Sequence, residues 1–138
     1  MIICENELYK EAAEFYATKL AIPDSVIVAI VLHSKLSVSG YCEHHDEDIY
    51  PYFIVGIEES DDESGEEDPL AILAHEMVHV KQYSRGELVD HGRYCSWHGT
   101  KYEEYDASSE DYFFSPWEVE AFGMQVGLYR MYLRSMKQ

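Results

Sequence analysis

The tightest constraint on this chain is residues 70–83, LAILAHEMVHVKQY, an apolar run interrupted by two histidines and a glutamate in the pattern HExxH. With Asp68 and Pro69 in front of it and Gly86 behind, the run predicts a buried helix. Aspartate caps a helix start, proline suits its first position, and glycine suits the stop just past Arg85. At about 3.6 residues per turn, His75 and His79 stand one above the other on the same face. Their imidazoles can then reach one ion from adjacent turns, at bonds of about 2.0–2.1 Å. Glu76 lies on the next azimuth, beside such an ion yet free to hold a water. Burying these three groups without partners is costly. The pattern therefore predicts a metal site, and a carboxylate beside a metal-acidified water is the arrangement that metal-dependent hydrolysis requires.

The whole-chain numbers narrow the setting. A length of 138 residues suits one domain with a modest core, and 12 tyrosines argue against a disordered chain. A formal net charge of −17 would repel nucleic-acid phosphates and anionic membrane surfaces, so neither is an expected partner. Three cysteines, Cys4, Cys42 and Cys95, leave one unpaired under any connectivity, which fits a reducing compartment. The first residues, MIICENE, carry no basic segment of a signal peptide. No apolar stretch approaches the roughly 20 residues of a membrane span. The expected location is the cytoplasm.

Taken in order, the chain predicts an α+β fold. Asn6 caps a helix over 7–20 whose apolar positions Leu8, Ala12, Phe15, Tyr16 and Leu20 follow helical spacing, and Pro23 ends it. Residues 26–32, VIVAIVL, form a continuous β-branched run, the mark of a strand covered on both faces. Further strands are expected at 35–41 and 52–57, giving a small three-stranded mixed sheet. Between them Cys42, Glu43, His44, His45 and Asp46 read as a polar turn rather than a metal site, because adjacent histidines point apart on most backbones. Residues 58–68, EESDDESGEED, fail the EF-hand pattern, since Glu66 stands at its glycine position counted from Asp61. They read as a solvated acidic loop, whose charge near a cleft would favour basic substrates. Residues 93–102 suggest a short hairpin turning near Gly99. Ser115 and Pro116 then open a C-terminal helix to about Ser135 that buries Trp117, Ala121, Phe122, Leu128 and Tyr132.

Two histidines do not complete a catalytic zinc site, which takes a third protein ligand and leaves a position for water. The extended pattern HExxHxxGxxH is excluded, because Gln82 and Arg85 stand where its glycine and third histidine would be. The candidates that remain are His91, His98, Cys95, Glu118 and Glu120. A ligand on a packed helix is held more rigidly than one on a hairpin, which favours the glutamates. They lie about 200° apart on a helix, so at most one faces the ion. Ser115 and Glu118 also fit a capping box, in which Glu118 would bond the Ser115 backbone instead. Spacing leaves both roles open.

HEMVH followed by a later helix opening PWEVEA resembles the gluzincin branch of zincin metallopeptidases. HEMVHVKQY, then Trp97, Gly99 and Tyr102 as W-x-G-x-x-Y, then PWEVEA, is similar over about residues 69–123 to short zincin-like proteins encoded by tailed phages. The resemblance implies a minimal zincin-like fold, a zinc ion, and hydrolysis of a peptide or protein substrate, in a host cytoplasm if the chain is phage-encoded. It makes His75, His79 and Glu118 the metal ligands, Glu76 the general base, and Glu120 a neighbour. Phe122 occupies the position of the family's following aspartate, so another group must orient a histidine here. Zincins take substrate as an added strand along a sheet edge, which points to the strand at 52–57. His98, Tyr102 and Tyr112 are candidate oxyanion donors. The alternative is a non-catalytic, metal-containing scaffold whose acidic surface binds or inhibits a basic partner, and a third reading is a fold without metal.

Overall fold

The computed structural model describes residues 1–45, 52–59, 68–103 and 110–137, with the side chains of residues 110 and 111 left out. The elements run β1 (Ile2–Ile3), α1 (Glu7–Lys19), β2 (Ile27–His33), β3 (Gly40–His45), β4 (Tyr52–Glu58), α2 (Pro69–Ser84), β5 (Leu88–Asp90), β6 (Tyr94–Trp97), β7 (Thr100–Glu103), a 3-10 turn (Glu110–Phe114) and α3 (Pro116–Ser135). The fold is α+β: three helices, a four-stranded mixed sheet and a small antiparallel sheet among the described residues.

The main sheet has the order β1-β2-β4-β3. The first three strands are parallel and β3 runs antiparallel to β4. A fourth strand joins the expected three because Ile2 and Ile3 pair with Val28 and Ala29. Nor is β2 covered on both faces. Val28 and Ile30 are buried while Val31 is 40 % exposed, so its apolar run serves only one packed face. That face meets Phe53, Val55 and Ile57 of β4 and the helical residues Ala12, Ala13, Tyr16, Leu73, Met77 and Val80 in one core.

The second strand lies further along than 35–41, and residues 42–45 extend it instead of turning. Two contacts explain the difference. Gly56 of β4 has no side chain, and the Tyr41 ring fills the space where a Cβ would stand. His44 stacks on Phe53, with ring centroids 4.6 Å apart. Aromatic pairs across neighbouring strands fix register as well as contributing energy, so a segment that is polar in sequence is held in a ladder. In consequence β4 has partners on both sides, and among the described residues the edges of the sheet are the two-residue β1 and the longer β3. The expected substrate platform at 52–57 is therefore an interior strand.

The helices begin much as expected. Asn6 accepts from the Tyr9 amide and Asp68 from the Leu70 amide. Gly86 adopts φ +70°, the left-handed conformation that suits glycine after a helix. The hairpin turns through His98 and Gly99, both at positive φ, and β5 adds a third strand along β6. On α3, Ala121, Leu128 and Tyr132 are buried as expected, but Trp117 is half-buried and Phe122 is exposed. The expected acidic loop falls mostly at 60–67, outside the described residues. No helix among the described residues is long and apolar enough to cross a membrane.

Candidate metal centre

Helix α2 is buried on almost every side from Ala71 to Gln82, packed by β3, β4, α1 and α3. Within that apolar surround His75, Glu76 and His79 are 7–8 % exposed. The spacing puts both imidazoles on the side facing α3, and Glu118 projects toward them from the first turn of α3. The Nε2 atoms of His75 and His79 lie 3.2 Å apart. Glu118 places Oε2 at 3.1 Å from the first and Oε1 at 3.0 Å from the second. These three form the group among the described residues whose ligand atoms could hold one ion. Tetrahedral bonds of about 2.1 Å separate ligand atoms by about 3.4 Å, within a few tenths of an ångström of the observed spacing.

The outer ring nitrogens decide the chemistry of the inner ones. His75 Nδ1 lies 3.0 Å from Gln125 Oε1, and His79 Nδ1 lies 2.8 Å from Gln82 Oε1. An amide oxygen only accepts, so each Nδ1 carries a proton and donates; Nε2 then donates to Glu118 when the ring is protonated, and turns a lone pair inward when it is neutral. The Gln82 orientation is fixed from its other end. Its Nε2 donates to the Trp117 carbonyl at 2.9 Å and to Glu120 Oε1 at 3.2 Å. Lys81 holds that same carboxylate at 2.7 Å and reaches Glu87 at 2.9 Å. Tyr112 donates its hydroxyl to Glu118 Oε1 at 3.0 Å.

Charge shifts follow from this packing. Burial raises the Glu118 carboxyl, but hydrogen bonds and charge from His75 and His79 outweigh it and hold the group at about 2. Burial pulls His79 down, yet its bond to Glu118, the charges of Glu76 and Glu118, and the bond to Gln82 raise it above the ordinary histidine value. Burial also pushes Glu76 up, partly countered by the two histidines and reinforced by Glu118. A raised carboxyl is the better proton acceptor when it is ionised. Glu76 lies outside the ligand group, on the β3 side of α2. A Cβ at Gly40 would come within 3.3 Å of its Cγ and 2.8 Å of Ile72 Cγ2. Glycine at that position lets the open strand approach the helix closely.

Of the other candidates, Glu120 is drawn away by Lys81 and Gln82. His91 stacks on Tyr94 and contacts Ser96, His98 sits in the hairpin turn against Trp97, and Cys95 lies on β6. None of them joins the group. The alternative capping box does not form: Ser115 makes no side-chain cap, its hydroxyl donates to the Tyr112 carbonyl at 2.7 Å, and Glu118 is left to the histidines. Tyr102 packs against Trp117 at 5.6 Å, and the Tyr112 hydroxyl is committed to Glu118. The residues that sequence reasoning missed are Gln82 and Gln125. Their signal was weak but present: a glutamine three residues after His79, and another seven after Glu118 on the same α3 face as Ala121 and Leu128.

The chain matches no protein-family model, and comparison with curated proteins and with solved structures returned no match.

Proposed function

We propose that the protein is a zinc-dependent peptidase of minimal zincin-like fold. One observation carries the reading. Two imidazole Nε2 atoms and a carboxylate converge at 3.0–3.2 Å in a buried site, with both Nδ1 atoms turned outward to glutamine oxygens. With both rings neutral, these atoms are electron-rich and repel one another unless a cation lies between them. Two neutral imidazoles and a carboxylate are the donor set that suits zinc with one position open.

Bound there, zinc would act as a Lewis acid and lower the pKa of a coordinated water toward about 7. The chain's own residues supply the rest. Glu76, buried beside the ligands, takes the water's proton and hands it to the leaving amine. Gln82 and Gln125 hold the two rings in the tautomer that offers Nε2, and Tyr112 orients the Glu118 carboxylate. The open edge of β3 supplies the strand against which an extended peptide can pair. The bond from Glu58 N to Ser39 O fixes which residues bond inward, so Gly40, Cys42 and His44 turn their main-chain groups to that edge.

Purified wild-type and Glu76→Gln proteins, assayed on a mixed peptide library after chelation and zinc return, test the reading. Cleavage abolished by the chelator, restored by zinc and lost in Glu76→Gln with zinc still bound is the expected outcome. Zinc-loaded protein that leaves every peptide intact removes the peptidase assignment. Salt-sensitive capture of a basic protein, equal in wild type and Glu76→Gln, would favour the acidic binding scaffold instead.

A further inference from the structure

Each of the two sheets has an open strand beside the same cleft. β3 is an outer strand of the main sheet and β5 an outer strand of the small one. Residues 42–45 of β3 form one wall of the cleft, residues 88–90 of β5 form the other, and Tyr83 of α2 completes the lining. No backbone bond crosses from wall to wall among the described residues.

The ladders behind the walls fix which main-chain groups face the cleft. In an extended chain each residue turns its N–H and C=O to one edge, and the next residue turns them to the other. On β3, Gly40, Cys42 and His44 face away from β4. On β5, His98 N donates to the Glu87 carbonyl at 2.8 Å and His91 N to the Tyr94 carbonyl at 2.9 Å. Residues 87, 89 and 91 therefore bond inward to β6, and Leu88 and Asp90 turn their main-chain groups away from it. The β3 edge also runs from this cleft to the metal centre. At one end the His44 ring lies 5.5 Å from that of Tyr83, one turn beyond His79 on α2. At the other, a Cβ at Gly40 would stand 3.3 Å from Glu76 Cγ.

Resting on the peptidase reading for the ligand, we propose that the substrate enters this cleft as a strand bonded on both sides, to β3 and to β5, and so joins the two sheets. Successive peptide residues then pair alternately with Cys42 or His44 on one wall and with Leu88 or Asp90 on the other. A chain used at both edges keeps none of those main-chain groups for a sheet or helix of its own. The substrate class is therefore an unstructured segment. The edge strand of a folded protein, with one side already paired, does not fit.

A fluorescein-labelled decapeptide of alternating lysine and valine, bound to zinc-loaded Glu76→Gln protein, tests the arrangement by fluorescence anisotropy without turnover. Valine favours an extended chain, and lysine suits a protein of net charge −17. In this strand the valine N–H groups point to one edge and the lysine N–H groups to the other, whatever even slip the register takes. N-methylation of the two central valines, and separately of the two central lysines, is expected to weaken binding roughly tenfold or more in each case. Asp90→Pro removes an N–H that the ladder to β6 does not use, and should weaken the unmethylated peptide by a similar factor. Asp90→Asn, which keeps that N–H, should bind within about twofold at high salt, where charge is screened. Affinity lost with only one of the two methylated pairs means a single bonded wall and overturns the proposal. So does an unmethylated peptide that fails to bind, or binding that folded Asp90→Pro leaves unchanged; the methylated peptides decide alone if that variant does not fold. Losses with both pairs, in a protein whose zinc-loaded wild type cleaves no peptide, would support the two-sided strand while removing the peptidase assignment.

Discussion

At the scale of single residues, the centre depends on which atoms are left without a proton. Gln82 and Gln125 set this by accepting from Nδ1 of His79 and His75. Replacing either with alanine should weaken zinc binding by roughly 10- to 100-fold, read by competition with a chromophoric chelator. Gln82→Glu should bind more tightly than wild type only if Lys81 and Glu120 tolerate the added charge, so Gln125→Glu is the cleaner gain-of-affinity variant. Glu76→Gln removes a base without removing a ligand. It should keep zinc affinity within a few-fold while peptide hydrolysis falls by roughly 100- to 10,000-fold.

At the proposed centre protons and zinc would compete for the same lone pairs, and the direction of each shift gives the sign. In the metal-free protein the folded-state value of Glu118 is depressed from 4.5 to about 2, so its stabilisation is present above 4.5 and lost as pH falls toward about 2. His79 is raised above 6.5, so its stabilisation is present below 6.5 and lost as pH rises through the folded value. Together Glu118 and His79 stabilise the metal-free chain most between pH 4.5 and 6.5, while the raised Glu76 opposes stability as pH rises above 4.5. Zinc should move the optimum of thermal stability to higher pH, because it requires the neutral ring that acid removes. Melting temperatures across pH, with chelator and with zinc, check this. An optimum that stays in place would count against His79 as a ligand.

At the scale of elements, α2 was legible because its signals agree: Asp68, Pro69, an apolar run and Gly86 all give the same boundaries. The convergence of His75 and His79 was legible too, since a four-residue spacing on a helix fixes a shared face. Glu118 was ambiguous because its spacing from Ser115 satisfied a local capping rule. The choice between that role and the histidines is made by the packing of α3 on α2, which no short window of sequence contains. The strand β3 was misread because its polarity signalled a turn, whereas cross-strand contacts with Gly56 and Phe53 hold it. Those contacts make a specific expectation. Gly56→Ala forces the Tyr41 ring off β4 and should destabilise the fold by about 1–3 kcal/mol, measured by urea denaturation. Because β3 also crosses close to Glu76, the same substitution should reduce hydrolysis more than zinc affinity.

At the scale of the whole molecule, a strongly acidic chain keeps a buried cluster of two histidines and a glutamate. Nearly all of the arrangement rests on the packing of α2 against α3, which delivers Glu118, Gln125 and the Trp117 carbonyl to one side of two histidines. The measurement that bears on this most directly is zinc content by mass spectrometry after gel filtration, in wild type and in His79→Ala and Glu118→Ala. One zinc per wild-type chain, with less than a tenth of that retained in each variant at comparable folding, is the expected result. Wild-type protein that emerges without stoichiometric zinc after incubation with excess ion, or variants that hold it as well as wild type, would contradict the assignment of these three residues as a metal centre.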